Sequence, residues 1–195
     1  MLFFNRFLST GQIPKQEFQQ WLDSMSFDLF VTVEPTPSSP MRDDDIKQRI
    51  RQVDLHINKK FIGNQFSRFK NKMDRCWMIG FFEDGHKGRR MRHTHLLYHL
   101  PFPQFRNRKG SDSFLRNMVT NEFRYQWSLL KPSVQVVTNT EKTKNWFEVT
   151  DFDTRNIPPI HIEQISSRKD SQVVGRYSSK EIHRSINYDD IYFSF

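Results

Sequence analysis

Two β-rich runs, RCWMIGFF at 75–82 and RHTHLLYHL at 92–100, stand on either side of the polar stretch EDGHKGRRM. Both are dense in aromatic and aliphatic side chains that suit a pleated surface, and the Asp-Gly and Lys-Gly pairs between them are turn signals. The combination predicts an antiparallel hairpin, closed by Pro101 and Pro103. A chain committed to such a hairpin must cover its apolar faces with something else, and the flanking sequence supplies helices.

Residues 14–25 place Phe18, Trp21, Leu22 and Met25 at helical spacing, and the run FDLFVTV at 27–33 follows as a strand that stops at Glu34-Pro35. Asp43, Asp44 and Asp45 open a second helix carrying Ile46, Ile50, Val53 and Ile57, the acidic groups complementing the helix dipole. After the hairpin, residues 111–130 predict a helix with Phe114, Leu115, Met118, Val119, Phe123, Trp127 and Leu130 on one broad face, and Pro132 stops it. Short strands are expected at 134–137, 146–149 and 160–165, and a last helix over 171–186. The order predicts an α+β domain with helices lying on a central antiparallel sheet. One domain over 1–195 is the simplest account, with residues 1–25 as an N-terminal helical extension.

Composition narrows the function classes. Thirty Lys and Arg against 22 Asp and Glu give a net charge of +8, which favours a polyanionic partner, nucleic acid first. Nineteen Phe, 4 Trp and 5 Tyr supply a core despite a hydrophobic content of only 36%. No membrane span or secretory leader is recognisable, so the expectation is a cytoplasmic protein with no membrane partner. The lone Cys76 excludes an internal disulfide and a Cys-rich zinc site, so a metal must be held by His and carboxylates.

His93 and His95, two apart in a predicted strand, point to the same face and offer two imidazoles to one metal ion. The plain alternative is a solvated strand face. Glu83 ends the preceding strand, and the hairpin folds it back toward the pair; His86 competes as third ligand, and Glu181 is a further option. Two imidazoles and a carboxylate suit Mn²⁺ or Mg²⁺, with positions left for water and a phosphate oxygen. Asp151 and Asp153 could hold a second ion but fit more simply in the polar loop before Pro158.

In GRYSSKE at 175–181, a helix would set Tyr177, Lys180 and Glu181 on one face. An ammonium beside a tyrosine favours the phenolate and can hold a phosphate, which makes Tyr177 and Lys180 candidate catalytic residues. An amphipathic surface helix with an incidental Tyr is the alternative. The segment 59–77 interleaves basic residues with Phe61, Phe66, Phe69 and Trp77, and FPQFRNRK at 102–109 repeats the theme. Such mixtures track a phosphate backbone and stack unpaired bases, though each Phe can equally be core. Arg68, Lys70, Arg89, Arg90, Arg92, Arg106, Arg108 and Arg176 are the candidate DNA contacts.

The combination resembles the HUH endonucleases, the family of rolling-circle replication initiators, relaxases and related single-strand transposases. The family's apolar strand is matched by Phe27 to Val33, its His-hydrophobic-His strand by His93-Thr94-His95, and its Tyr-x-x-Lys by Tyr177-Ser178-Ser179-Lys180. Thr94 departs from the usual hydrophobic residue, and the single Tyr resembles the one-tyrosine initiators. The resemblance implies a ferredoxin-like sheet with the His pair on a central strand and the Tyr helix packed across it. It also implies a divalent-metal-dependent nick in single-stranded DNA, often at a hairpin loop in a replication origin of a plasmid or virus. Tyr177 would become joined to the 5′ phosphate, leaving a free 3′ hydroxyl for a polymerase. No G-x-x-x-x-G-K-[ST] occurs, so a host or viral helicase would act in trans with the polymerase. Transposase or relaxase chemistry, or a non-catalytic single-stranded nucleic-acid-binding domain, are the competing expectations.

Overall fold

The computed structural model describes residues 12–34, 42–69, 71–83, 93–106, 110–129, 159–179, 185–187 and 191–194. In chain order the regular elements are β1 (Gln12–Pro14), α1 (Lys15–Ser24), β2 (Leu29–Val33), α2 (Asp43–Ile57), β3 (Trp77–Glu83), β4 (His93–His99), α3 (Asp112–Leu129), β5 (Ile160–Gln164), α4 (Arg168–Ser178), β6 (Ser185–Asn187) and β7 (Ile191–Phe193). Five strands form one antiparallel sheet in the order β5-β2-β4-β3-β7, and β1 pairs with β6 beside it.

The segment β2-α2-β3-β4-α3-β5, with its strands ordered β5-β2-β4-β3, is the ferredoxin-like arrangement, extended at one edge by β7. The expected hairpin is present: Glu83 stands opposite His93 and Trp77 opposite His99. Because side chains alternate across a strand, register decides which layer each residue joins. Leu29, Val31, Val33, Met78, Phe82, Leu96 and Tyr98 meet α2 and α3. Phe30, Ile79, Phe81 and Leu97 meet α1 through Phe18 and Leu22, with Val174 of α4 packed against the same cluster. Both faces are therefore covered, which is why β2 and β3 are buried along their whole length.

On α2 the inward stripe is the expected one, Ile46, Ile50, Val53 and Ile57. Its end is unusual: the chain widens into a π-turn at Asn58–Ile62 and stops at Gly63, whose φ of 110° is a left-handed conformation. A side chain there would also collide with the Arg106 guanidinium. Asn58 ties this end to the sheet, its Nδ2 donating to the Cys76 carbonyl at 3.0 Å and its Oδ1 accepting from the Cys76 N–H at 2.9 Å. Next to it Tyr98 donates to Asp54 Oδ1 at 3.0 Å. Burial pushes the Asp54 carboxyl up to about 8, against the opposing influence of Tyr98 and Arg75.

Two expectations change. The last helix does not run over 171–186: it begins at Arg168, capped by the Ser167 side chain, which accepts the Asp170 N–H at 3.1 Å, and ends at Ser178. At its end the Ser178 and Ser179 hydroxyls donate to the Val174 and Gly175 carbonyls at 2.8 and 2.9 Å, and Ile186 belongs instead to β6, opposite Ile13. The apolar face of α3 is narrower than its composition suggests, with Leu115, Val119, Phe123 and Trp127 buried while Phe114 and Met118 are exposed. The helix expected over 14–25 is present as α1 and packs into the core, with Phe18 and Leu22 each 1% exposed. The strands expected at 134–137 and 146–149, together with Leu130, Asp151 and Asp153, lie outside the described residues.

Candidate metal and tyrosine site

The site lies on the sheet face toward α1 and α4. β4 presents His93 and His95 to that face, and β3 brings Glu83 into register with His93. The His93 Nε2 lies 3.2 Å from Glu83 Oε2, and the His95 Nε2 lies 3.7 Å from Glu83 Oε1. One donor atom from each of the three falls within 4.8 Å of the others. Glu83 and His95 are nearly enclosed, whereas the His93 side chain keeps 25% of its surface, so the cluster opens on one side. Among the described residues this is the one group of three His, Cys, Asp or Glu side chains gathered closely enough to hold a metal ion. Its two nitrogens and one carboxylate fit a divalent first-row ion. His86 and Glu181, the other candidates for the third position, lie outside the described residues.

Tyr177 reaches the same place from the last turn of α4. Its ring centroid is 5.3 Å from that of His95, inclined at 64°, and 6.4 Å from that of Phe30, nearly perpendicular to it. Phe30 in turn stacks on His95 at 5.1 Å and 26°. Tyr177 is 49% exposed, so it stands at the rim of the cluster and meets solvent. The arrangement follows from sequence spacing along α4: Gly175 faces Leu22 of α1 and Ser171 is buried where its hydroxyl accepts the Phe27 N–H at 3.0 Å, which turns Val173 and Tyr177 outward along one ridge. α4 ends at Ser178, and Lys180 and Glu181, expected to share a helical face with Tyr177, lie outside the described residues.

Two residues at the site carried no signal of their own in the sequence. Phe30 and Thr32 alternate along β2 and so share the face of the His pair; Thr32 stands directly opposite His95, its Oγ1 3.1 Å from His95 Nδ1. On the edge strand, His161 stands opposite Thr32 and Glu163 opposite Phe30, with His161 Nε2 3.1 Å from Glu163 Oε1 and both side chains exposed. Alternation alone cannot reveal this row, because it requires knowing which strands are neighbours.

The candidate DNA contacts divide. Arg176 sits beside Tyr177, exposed, with its guanidinium 2.9 Å from Asp23 of α1. That hydrogen bond lowers the Asp23 carboxyl and raises the guanidinium. Arg68 and Arg106 are exposed but belong with the other layer: Arg68 follows Phe66, and the Arg106 N–H donates to the Phe61 carbonyl at 2.8 Å. Lys70, Arg89, Arg90, Arg92 and Arg108 lie outside the described residues. The aromatic residues between these cations are core: Phe61, Phe66, Trp77, Phe102 and Phe105 are all buried, and Phe69 packs partly against them. Cys76 is also fully buried, which pushes its thiol well above the ordinary value and removes it as a nucleophile. No helix among the described residues is long and apolar enough to cross a membrane. No family model, curated protein or solved structure matches the chain.

Proposed function

We propose that this protein is an HUH-type enzyme that nicks and rejoins single-stranded DNA, initiating rolling-circle replication of a plasmid or virus. The observation that carries the reading is the meeting of Tyr177 with a two-histidine, one-carboxylate cluster on a ferredoxin-like sheet. Each of these elements is common alone; their convergence from α4, β4 and β3 onto one partly open spot is what phosphodiester transfer needs.

Glu83, His93 and His95 are the residues that would hold a Mn²⁺ or Mg²⁺ ion, which when bound neutralises charge on the scissile phosphate. The chain's own contribution is the nucleophile and its placement. The Tyr177 phenol gives its proton to water, its Oη forms a bond to phosphorus, and the bond from phosphorus to the 3′ oxygen breaks, that oxygen taking a proton from water. The products are a 5′-phosphotyrosine and a free 3′ hydroxyl, and the reverse transfer rejoins the strand. Lys180 follows Tyr177 closely enough in sequence to serve the same phosphate, and Arg176 can exchange Asp23 for a phosphate of the bound strand. The 3′ hydroxyl is the natural substrate of a polymerase, with strand separation supplied by a helicase.

The test is incubation with Mn²⁺ and a labelled single-stranded origin oligonucleotide, resolved under denaturing conditions. A protein-linked label that requires metal and disappears in Tyr177→Phe supports the reading. Metal-independent binding with no covalent product, unchanged in His95→Ala, identifies a nucleic-acid-binding domain instead.

A further inference from the structure

We infer that Thr32 is a positioning residue for His95, holding its ring through Nδ1 so that Nε2 is presented to a metal; the inference rests on the metal-site reading above. His95 is 4% exposed and its ring is held on several sides: face-on by Phe30 at 5.1 Å, edge-on by Tyr177 at 5.3 Å, and edge-on by His93 at 4.9 Å. Those contacts fix the plane of the ring but not the position of its proton. The two nitrogens meet different groups. Nε2 turns to the Glu83 carboxylate, and Nδ1 turns to the Thr32 hydroxyl at 3.1 Å.

A neutral imidazole carries one N–H, and the nitrogen that binds a metal must be the bare one. For Nε2 to join Glu83 and His93 as a ligand, the proton has to sit on Nδ1, where Thr32 Oγ1 accepts it. A hydroxyl is suited to more than this one state. When no ion is held, the proton can sit on Nε2 toward Glu83, and the Thr32 hydroxyl then donates to Nδ1. A carbonyl oxygen in that position would accept only, and a carboxylate would add a second negative charge beside Glu83. Thr32 therefore keeps a hydrogen bond to His95 in both tautomers, and the ring need not turn when the ion arrives or leaves.

The placement is rigid. Thr32 lies in the interior strand β2, opposite His95 in the register and 7% exposed, and a β-branched side chain in a strand has few rotamers. Val31 and Val33 on either side face the other layer, so a β-branched residue at position 32 is not itself informative; the hydroxyl is. In a buried strand position it would carry a desolvation cost if it had no partner, and His95 supplies one.

The test compares the wild-type protein with Thr32→Val, which keeps the shape and removes the hydroxyl, and Thr32→Ser, which keeps the hydroxyl. Calorimetric titration with Mn²⁺ should show affinity about tenfold or more weaker in Thr32→Val, as for lost partners of metal-bound histidines generally, and largely recovered in Thr32→Ser. Long-range ¹H–¹⁵N spectra with Zn²⁺ as a diamagnetic probe should show the Nδ1–H proton of His95 shifted downfield by its hydrogen bond in the wild type and in Thr32→Ser, and that shift lost in Thr32→Val. Wild-type affinity and an unchanged Nδ1–H signal in Thr32→Val overturn the role of Thr32 and leave the metal site standing. A wild-type protein that binds no Mn²⁺ overturns both.

Discussion

The ring of Tyr177 stands edge-on to the ring of His95, their centroids 5.3 Å apart. Tyr177 comes from the end of a helix and His95 from a central strand, and between them they join the candidate nucleophile to the two-histidine, one-carboxylate cluster. Their environments differ in a useful way: the tyrosine is half exposed and the histidine is buried, so a nucleic acid can reach the first while the second stays fixed.

Replacing Tyr177 by Phe should leave the fold and the metal site intact. The hydroxyl belongs to an exposed side chain, and such changes alter stability by within about 0.5 kcal/mol. Thermal unfolding and Mn²⁺ titration should both match the wild type, while covalent capture of DNA is lost.

Glu83→Gln should weaken Mn²⁺ binding by at least about tenfold, because an anionic ligand is exchanged for a neutral one in a buried place. His93→Ala should act in the same direction. Chelation followed by readdition of Mn²⁺ should abolish and restore DNA capture in the wild type, and restore little in either variant.

Asp54 gives the fold a pH dependence remote from the site. Its carboxyl is held at about 8 in the folded chain, against an ordinary value of 3.8. The folded state therefore keeps a proton that the unfolded state has released. Stability from this group is fully present below the unfolded value and is lost as pH rises through the folded one, at up to about 1.4 kcal/mol per pH unit between them. Asp54→Asn retains an oxygen to accept from Tyr98 and Asn58. Urea unfolding across pH 5 to 9 should show a shallower decline in the variant than in the wild type.

Phe61 and Phe105 pack against each other, their ring centroids 5.3 Å apart and tilted by 30°, within the α2 and α3 layer, so alanine at either position should destabilise the protein by about 3–5 kcal/mol. If they were base-stacking platforms, the same changes would reduce DNA affinity at little cost in stability. Chemical denaturation beside a binding titration separates the two.

Much of this architecture is legible in the sequence wherever a strong periodic signal meets a clear stop. The hairpin could be read from two aromatic runs and their Gly-containing connection, and with it the return of Glu83 to His93. The stripe Ile46, Ile50, Val53 and Ile57 likewise survives unchanged into α2. What could not be read depends on partners distant in sequence. α4 ends at Ser178, and Ile186, which continues its apolar spacing, is drawn instead into β6 opposite Ile13, a pairing that periodicity does not see. The three-residue strands β6 and β7 exist through pairing with β1 and β3, too short to announce themselves. Phe114 and Met118 look like core on a helical wheel, yet the sheet that would bury them reaches only the neighbouring stripe of α3. Thr32 and Phe30 belong to the site only because β2 lies beside β4.

The most direct test of the central claim is where DNA becomes attached. After reaction with Mn²⁺ and a single-stranded origin oligonucleotide, nuclease trimming and tryptic digestion, mass spectrometry should find the nucleotide remnant on the peptide Tyr177-Ser178-Ser179-Lys180, joined through a 5′ phosphate. A remnant on another residue, or none at all with a metal-loaded and folded protein, contradicts the account.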